Sequence, residues 1–374
     1  MNTGLPSLDE LLTQDLEYIV ENLREEFGGI AGKNLLITGG AGFLGYYLVQ
    51  AALHFNKRSN SNPKIHLTVY DNFKRGAPSW LTALQNNPYL KVEHRDVSLP
   101  LPESERDFQF IIHAAGIASP IYYRKYPLQT IDANIYGLRN LLDYCVRQSD
   151  RGRPVEGLLF FSSSEIYGDP VPGAIPTPED YRGNVSCTGP RACYDESKRF
   201  GETLCVTFAR QYGVPVKIAR PFNNYGPGLK ITDRRVLPDF ARDVLNGNDI
   251  VMYSDGSPKR TFCYSADAIT GYYKVLVKGH SGEAYNIGID RPEISIAEVA
   301  DRLIVSARAL FGYRGKLVCK ASPEADYLVD NPNRRCPAIG KAWSHVGYKP
   351  SILVDEGLRR SLIWYHHNRE AEEA

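Results

Sequence analysis

Residues 33 to 53 read KNLLITGGAGFLGYYLVQAAL: a short apolar run, four glycines within seven residues, then an amphipathic stretch. Few local patterns restrict a fold more. The apolar run predicts a buried strand, and the glycines allow a sharp turn. The amphipathic stretch predicts a helix whose first amides face back toward that turn. The spacing is G-x-x-G-x-x-G counted from Gly39 and G-x-G-x-x-G counted from Gly40. Such a junction lets a phosphate approach the bare backbone and meet the positive end of the helix, which points to a dinucleotide held at Gly39, Gly42, Phe43, Leu44 and Gly45. A purely structural glycine turn is the alternative, and the strand before and helix after favour the cofactor.

The pattern continues downstream. A polar loop, NKRSNSNP, precedes the strand KIHLTVYD; then come a helix near 79–86, a strand near Val92, the strand FQFIIHAAG, a helix over about 128–148 and the strand GLLFFSSSE. A further helix ends near Gln211, and VPVKIARPF is the next strand. Strands alternating with helices predict an α/β fold, a Rossmann-like doubly wound parallel sheet covered on both faces. Beyond Asn223 the chain is richer in glycine and proline, with short segments such as DIVMYSD and EAYNIG, which predicts a smaller C-terminal substrate-binding lobe. The expected division is therefore a helical extension over 1–30, a cofactor domain over 31–222, and a lobe over 223–374 with some late segments returning to the first domain. In the extension, Leu12, Leu16, Ile19 and Leu23 recur at helical intervals, Ser7 is placed to cap the start and Gly28-Gly29 to stop it. That helix either covers the main domain or packs on a partner subunit.

Asp71 closes the second strand. A carboxylate there accepts hydrogen bonds from the adenosine ribose and repels a 2'-phosphate, so NAD is favoured over NADP; an Asx turn with Asn72 is the alternative. Asp96, beyond the third strand, is either an adenine contact or a surface cap. In GPRACYDESKR, Tyr194 and Lys198 stand four residues apart on a helix, which by itself means only that they are neighbours. A cofactor domain upstream changes its weight. Hydride transfer to a nicotinamide requires the carbinol proton to leave, and a tyrosinate beside the ring is a suitable base. Lys198 is expected to lower the tyrosine pKa electrostatically. Ser163 and Ser164, at the end of GLLFFSSSE, are candidates to hydrogen-bond the same reacting oxygen, Ser163 being favoured.

Composition excludes more than it selects. Lys and Arg number 44 against 43 Asp and Glu, which gives no electrostatic reason to expect nucleic acid. No apolar run reaches the roughly twenty residues that cross a bilayer, so no membrane partner is expected. Seven cysteines without a CxxC pair argue against a disulfide framework and a zinc knuckle. No metal site is expected, and free thiols fit a reducing, cytoplasmic setting.

With these motifs quoted, the chain from Lys33 onward resembles the extended short-chain dehydrogenase/reductase family that remodels nucleotide sugars. The general likeness lies in GGAGFLG, HAAG, SSSEIYG, the Tyr194–Lys198 pair and RPFNNYGPG. Within that family, SSSEIYGDP, PEDYRGNV, GPRACYDESKR, ASPIYYRKYPLQTIDANIYG and RTFCYSADAI are most similar to the UDP-glucuronate decarboxylases, also called UDP-xylose synthases. The related 4,6-dehydratases carry an Asp-Glu pair where this chain has Ser164 and Glu165, which speaks against dehydration. The resemblance implies that Glu165 and Arg260 act around the sugar C5 and its carboxylate. It adds Asn72, Asp96, Val97, Ala115 and Asn134 to the NAD side, and Pro120, Tyr123, Asn223, Arg235, Tyr253 and Arg335 to the nucleotide-sugar side. It also implies a homodimer joined through the helix after Pro127 and the Tyr194 helix, with Leu138, Leu141, Leu142 and Val146 either at that seam or against the sheet.

The chain departs from the decarboxylase pattern twice. Ser119-Pro120-Ile121-Tyr122-Tyr123 replaces Ser-Pro-Pro-Asn-Tyr, and Asn331-Pro332 replaces Asp-Pro. The first change lies near the sugar. The expected reaction is UDP-glucuronate to UDP-xylose and carbon dioxide; a nucleotide-sugar 4-epimerase, a decarboxylase of another nucleotide-uronate and a non-catalytic NAD-binding protein are its rivals.

Overall fold

A computed structural model describes residues 5–59, 63–322 and 329–373. Its centre is a seven-stranded parallel sheet built from β1 (Asn34–Thr38), β2 (His66–Asp71), β3 (Leu90–His94), β4 (Phe110–His113), β5 (Gly157–Phe161), β6 (Val216–Pro221) and the late strand Ala284–Ile287. Read across the sheet, the late strand is followed by β6, β5, β4, β1, β2 and β3. The chain thus runs outward from β1 in one direction, returns, and builds the other half from β4. This reversal opens a crevice at the carboxyl ends of β1 and β4, where open α/β sheets take their ligands. β5, GLLFF, is buried throughout, as expected of a parallel strand covered on both faces.

Helices α1 (Leu8–Asn22), α2 (Arg24–Ile30), α3 (Phe43–Arg58), α4 (Ser79–Ala83), α5 (Pro120–Lys125), α6 (Pro127–Asp150) and α7 (Ala192–Tyr212) precede β6, and α8 (Val236–Leu245) and α9 (Ser265–Lys278) follow it. α6 and α7 lie side by side. Leu138, Leu141 and Leu142 face inward with Phe160, Cys205 and Phe208 in one apolar cluster, and Val146 packs against it, so these four residues pack on the sheet side. Gly201 brings α7 close to β5: a Cβ there would lie 2.6 Å from the Phe160 ring. Leu128, Tyr136 and Phe200 are left exposed on the outer surface of the pair.

The N-terminal segment corrects one expectation. Ser7 caps α1 through a reciprocal pair with Glu10, but the helix breaks at Leu23, and Gly28-Gly29 lies inside α2 instead of ending it. α1 covers the chain's own body. Its buried Asp15 accepts from the hydroxyls of Tyr47 on α3 and Tyr264 and from Arg360, and Tyr18 donates to Asp267 on α9. After β6, the late strand Ala284–Ile287 pairs with β6, while short ladders join Lys259–Arg260 to Ile294–Ser295 and to Arg334–Arg335. Among the described residues, no helix is long and apolar enough to cross a membrane.

Candidate active site

The glycine junction is built by what its residues lack. Gly39 sits at φ +70, its amide donates to the Tyr70 carbonyl at 2.7 Å, and a Cβ on it would lie 2.6 Å from the Ala115 backbone. A Cβ on Gly45 would run into the carbonyl of Gly40. Gly42 caps α3 without a side-chain hydrogen bond, and Phe43, Leu44 and Gly45 form its first turn. Asp71 does two things at once: one oxygen accepts from the Phe73 amide at 2.9 Å, closing an Asx turn, and the other braces the glycine loop through the Ala41 amide at 3.0 Å. Burial holds its carboxyl above the usual carboxylate range.

Asp96 is a cap here. It accepts from the Ser98 amide and hydroxyl, and from Asn72 at 3.3 Å. Val97 is buried against Gly137. Asn134 donates to Ser197 at 2.9 Å while its buried Oδ1 has no hydrogen-bond partner among the described residues, 2.8 Å from where a Cβ on Gly116 would stand. A cradle that side chains would fill and an orphaned buried acceptor beside it both suit a dinucleotide.

Tyr194 lies on α7, buried, with its ring stacked on Tyr123 at 5.2 Å between centroids. Lys198 donates to the Phe161 carbonyl at 2.8 Å, and its Nζ stands 5.7 Å from the centre of the Tyr194 ring. The expected lowering of the phenol pKa is not found in this arrangement. Burial pushes Tyr194 up to about 12, partly offset by a hydrogen bond with Ser163, and burial takes Lys198 down to about 7. Desolvation favours the neutral form of each. The three serines divide their work: Ser162 donates to Glu202, Ser163 meets Tyr194 and accepts from the Glu165 amide at 3.1 Å, and buried Ser164 opens a 3-10 turn, Ser164–Tyr167.

Beyond the serines lies a knot of charge. Glu165 is gripped by Arg191 from the start of α7 and by Arg335 from the Arg334–Arg335 strand, with Arg335 Nη2 at 2.8 Å from Oε2. Burial alone would raise its carboxyl, but Arg191 and Arg335 hold it down to about 2. Arg260 stands beside Arg335 in the ladder but spends its guanidinium on carbonyls of Lys259, Pro332 and Asn333. It therefore backs the cluster without hydrogen-bonding Glu165. Among the described residues, four buried atoms around the knot lack hydrogen-bond partners: Tyr123 Oη, Arg191 Nε, Arg335 Nε and Asp195 Oδ1. Such a set is what a polar ligand would satisfy.

The other substrate-side candidates form a wider rim. Pro120 opens α5, which carries Tyr123. Asn223 adopts φ +43 and donates to the Thr261 carbonyl at 2.9 Å. Arg235 pairs with buried Asp233 at 2.6 Å and lies over the Phe43 ring, linking the rim to the cofactor loop. Tyr253 follows the short strand Ile250–Met252 and is half-buried.

Residues 35–288, more than half of the chain, match the model of the NAD dependent epimerase/dehydratase family. The chain belongs to that family. It is similar to UDP-glucuronic acid decarboxylase 3 of Arabidopsis thaliana, 35% identical over 328 residues that span 87% of this chain and 86% of the relative. UDP-glucuronic acid decarboxylase 1 of Xenopus tropicalis is 34% identical over 342 residues, 90% of this chain and 73% of that protein. Among solved structures, the dTDP-glucose 4,6-dehydratase DesIV of Streptomyces venezuelae, with NAD bound, aligns with a TM-score of 0.76 and 26% identity, covering 90% of this chain and 98% of that one. In this epimerase/dehydratase chain, sequence reasoning passed over Arg191 and Asp195. A signal was present: Arg191, Tyr194, Asp195 and Lys198 fall at i, i+3, i+4 and i+7, one face of α7, and a helix face that carries four polar groups yet is buried marks a site.

Proposed function

We propose that this protein converts UDP-glucuronate to UDP-xylose and carbon dioxide. The carrying observation is that Glu165, next to Ser164 where dehydratases have an aspartate, sits ionised between Arg335 and Arg191, and Arg191 lies one helical turn from Tyr194. Likeness to the plant and frog decarboxylases supports the same reading. Bound NAD supplies a hydride acceptor and then a hydride donor, so the overall reaction is redox-neutral. Gly39, Gly42, Phe43, Leu44, Gly45, Asp71, Ala115 and Asn134 would hold it, with Lys198 at its ribose.

In this reading Tyr194, as a phenolate that the positive charge of a bound oxidised nicotinamide would favour, takes the C4 hydroxyl proton, steadied by Ser163. A ketone at C4 makes the C5 carboxylate a β-keto acid, whose C–C electrons pass into an enolate as carbon dioxide leaves. Arg191 and Arg335 offset the negative charge around that step, Glu165 faces C5, and Tyr194 returns its proton to the C4 oxygen. Asn223 and Arg235 orient the diphosphate, while Arg260 fixes the strand from which Arg335 projects. The reading includes a homodimer across α6 and α7, for which exposed Leu128, Tyr136 and Phe200 are the apolar seam. It also includes a cytoplasmic setting, in keeping with cysteines that are all free thiols. Incubation with UDP-glucuronate should give carbon dioxide and a pentose nucleotide. Recovery of an intact hexuronate overturns the assignment, and a product of unchanged mass but inverted C4 would instead mark a 4-epimerase.

A further inference from the structure

Decarboxylation consumes a proton. The bond from C5 to the carboxylate breaks, its electron pair moves into the C4–C5 enolate, carbon dioxide departs neutral, and a C5–H bond must then form. The group facing C5 is ill-placed to supply that proton from its own store, because Glu165 is ion-paired on both oxygens. Asp195 is differently placed. It follows Tyr194 on α7, is buried, and shows Oδ2 to Arg191 Nε at 3.7 Å while Oδ1 has no hydrogen-bond partner among the described residues. Arg191 lies between the two acids, with Nη2 on Glu165 and Nε toward Asp195.

We propose that Asp195 is a positioning residue that stores the proton consumed in the reaction and delivers it to C5 through Glu165, then recovers one from solvent. The inference rests on the decarboxylase reading. A buried carboxyl with an unpartnered oxygen avoids the cost of an isolated charge by keeping its proton. The groups facing it are Glu165 from the 3-10 turn, Arg191 and Tyr194 from its own helix, Tyr123 from α5, Arg335 from its strand and Asp330 from the loop before it. Burial first, then repulsion from Glu165, raises Asp195 to about 7 against the pull of Arg191. The proton is therefore held below about pH 7 and lost above it. As carbon dioxide leaves, the proton held by Asp195 passes to the ionised Glu165 and from it to the basic enolate carbon, so C5 gains its hydrogen, Glu165 ends ionised as it began, and Asp195 is left ionised until solvent returns a proton.

The test uses the purified protein with its NAD and UDP-glucuronate as substrate, comparing wild type with Asp195→Asn. Wild-type turnover should fall as pH rises through about 7. The variant should lose that limb and turn over at least about tenfold more slowly at pH 6. Its single-turnover appearance of reduced nicotinamide should stay within about twofold of wild type, and deuterium should enter C5 more slowly. Wild-type turnover and an intact pH limb in the variant would overturn the proposal, as would equal loss of the first hydride step, which marks a structural role. Asp195→Ser serves if asparagine prevents folding. Should wild type release no carbon dioxide, the decarboxylase reading falls first and this inference with it; a carbon dioxide-releasing wild type indistinguishable from the variant removes the inference alone.

Discussion

The two ends of the site are made of different material. At the cofactor end, residues 39–45 work through backbone: bare Cα positions, amides at a helix start, and one carboxylate, Asp71, bracing the turn. At the sugar end, the work falls to side-chain charge: Glu165, Arg191 and Arg335 converge from a turn, a helix and a strand, with Glu165 and Arg335 separated by 170 residues. A backbone cradle tolerates any substrate beyond it, which suits a part shared across a family. A charge knot is particular, because each arginine must be matched by a carboxylate or a ligand.

If the two ends are as independent as this implies, changes at one should leave the other standing. Tyr194→Phe, at the boundary, removes the base and should slow carbon dioxide release roughly 10²–10⁴-fold while NAD stays bound; a variant with near-normal release would remove Tyr194 from the chemistry. Arg335→Ala strips one of the two arginine partners from half-buried Glu165. A broken buried pair costs about 3–5 kcal/mol, with Arg191 recovering part of it, read as a lower denaturation midpoint with NAD content unchanged. The same knot sets acid stability. Because the folded Glu165 carboxyl lies near 2, below its ordinary value of 4.5, its contribution is complete above 4.5 and is lost as pH falls toward about 2. Glu165→Gln should flatten that acid limb in chemical-denaturation curves taken across this range, and an unchanged slope would place the charge elsewhere.

Gly45→Ala tests the other end. Forcing a methyl against the Gly40 carbonyl should cost about 1–3 kcal/mol and deplete bound NAD, while Glu165 and its arginines stay paired. Loss of the acid limb in this variant would show that the two ends are coupled. Phe200→Asp, on the exposed side of α7, should change monomer stability by less than about 0.5 kcal/mol yet shift the light-scattering mass toward a monomer. A mass that does not move would take Phe200 out of the seam.

What the sequence determined by itself was set by short-range physics. The glycine spacing, the strand and helix periods and the Tyr194–Lys198 interval are contained within one element or one junction, so the α/β sheet, the cofactor loop and the helix that carries the pair could be read directly. What only the tertiary structure decided depends on which distant charges meet. Leu23 and not Gly28 broke the first helix, and the two pieces are held by distant charges, Asp15 of α1 by Arg360 and Glu26 of α2 by Lys274 on α9. Arg260 turned its guanidinium to loop carbonyls and left Glu165 to Arg335 and to Arg191, which carries no local sign of its partner across the cleft. Asp71 proved to be both a turn closer and a brace, and Tyr194 and Lys198 were driven toward neutrality by burial. Desolvation and long-range pairing are properties of the folded interior, and a linear pattern records the residues that take part but not the company they keep.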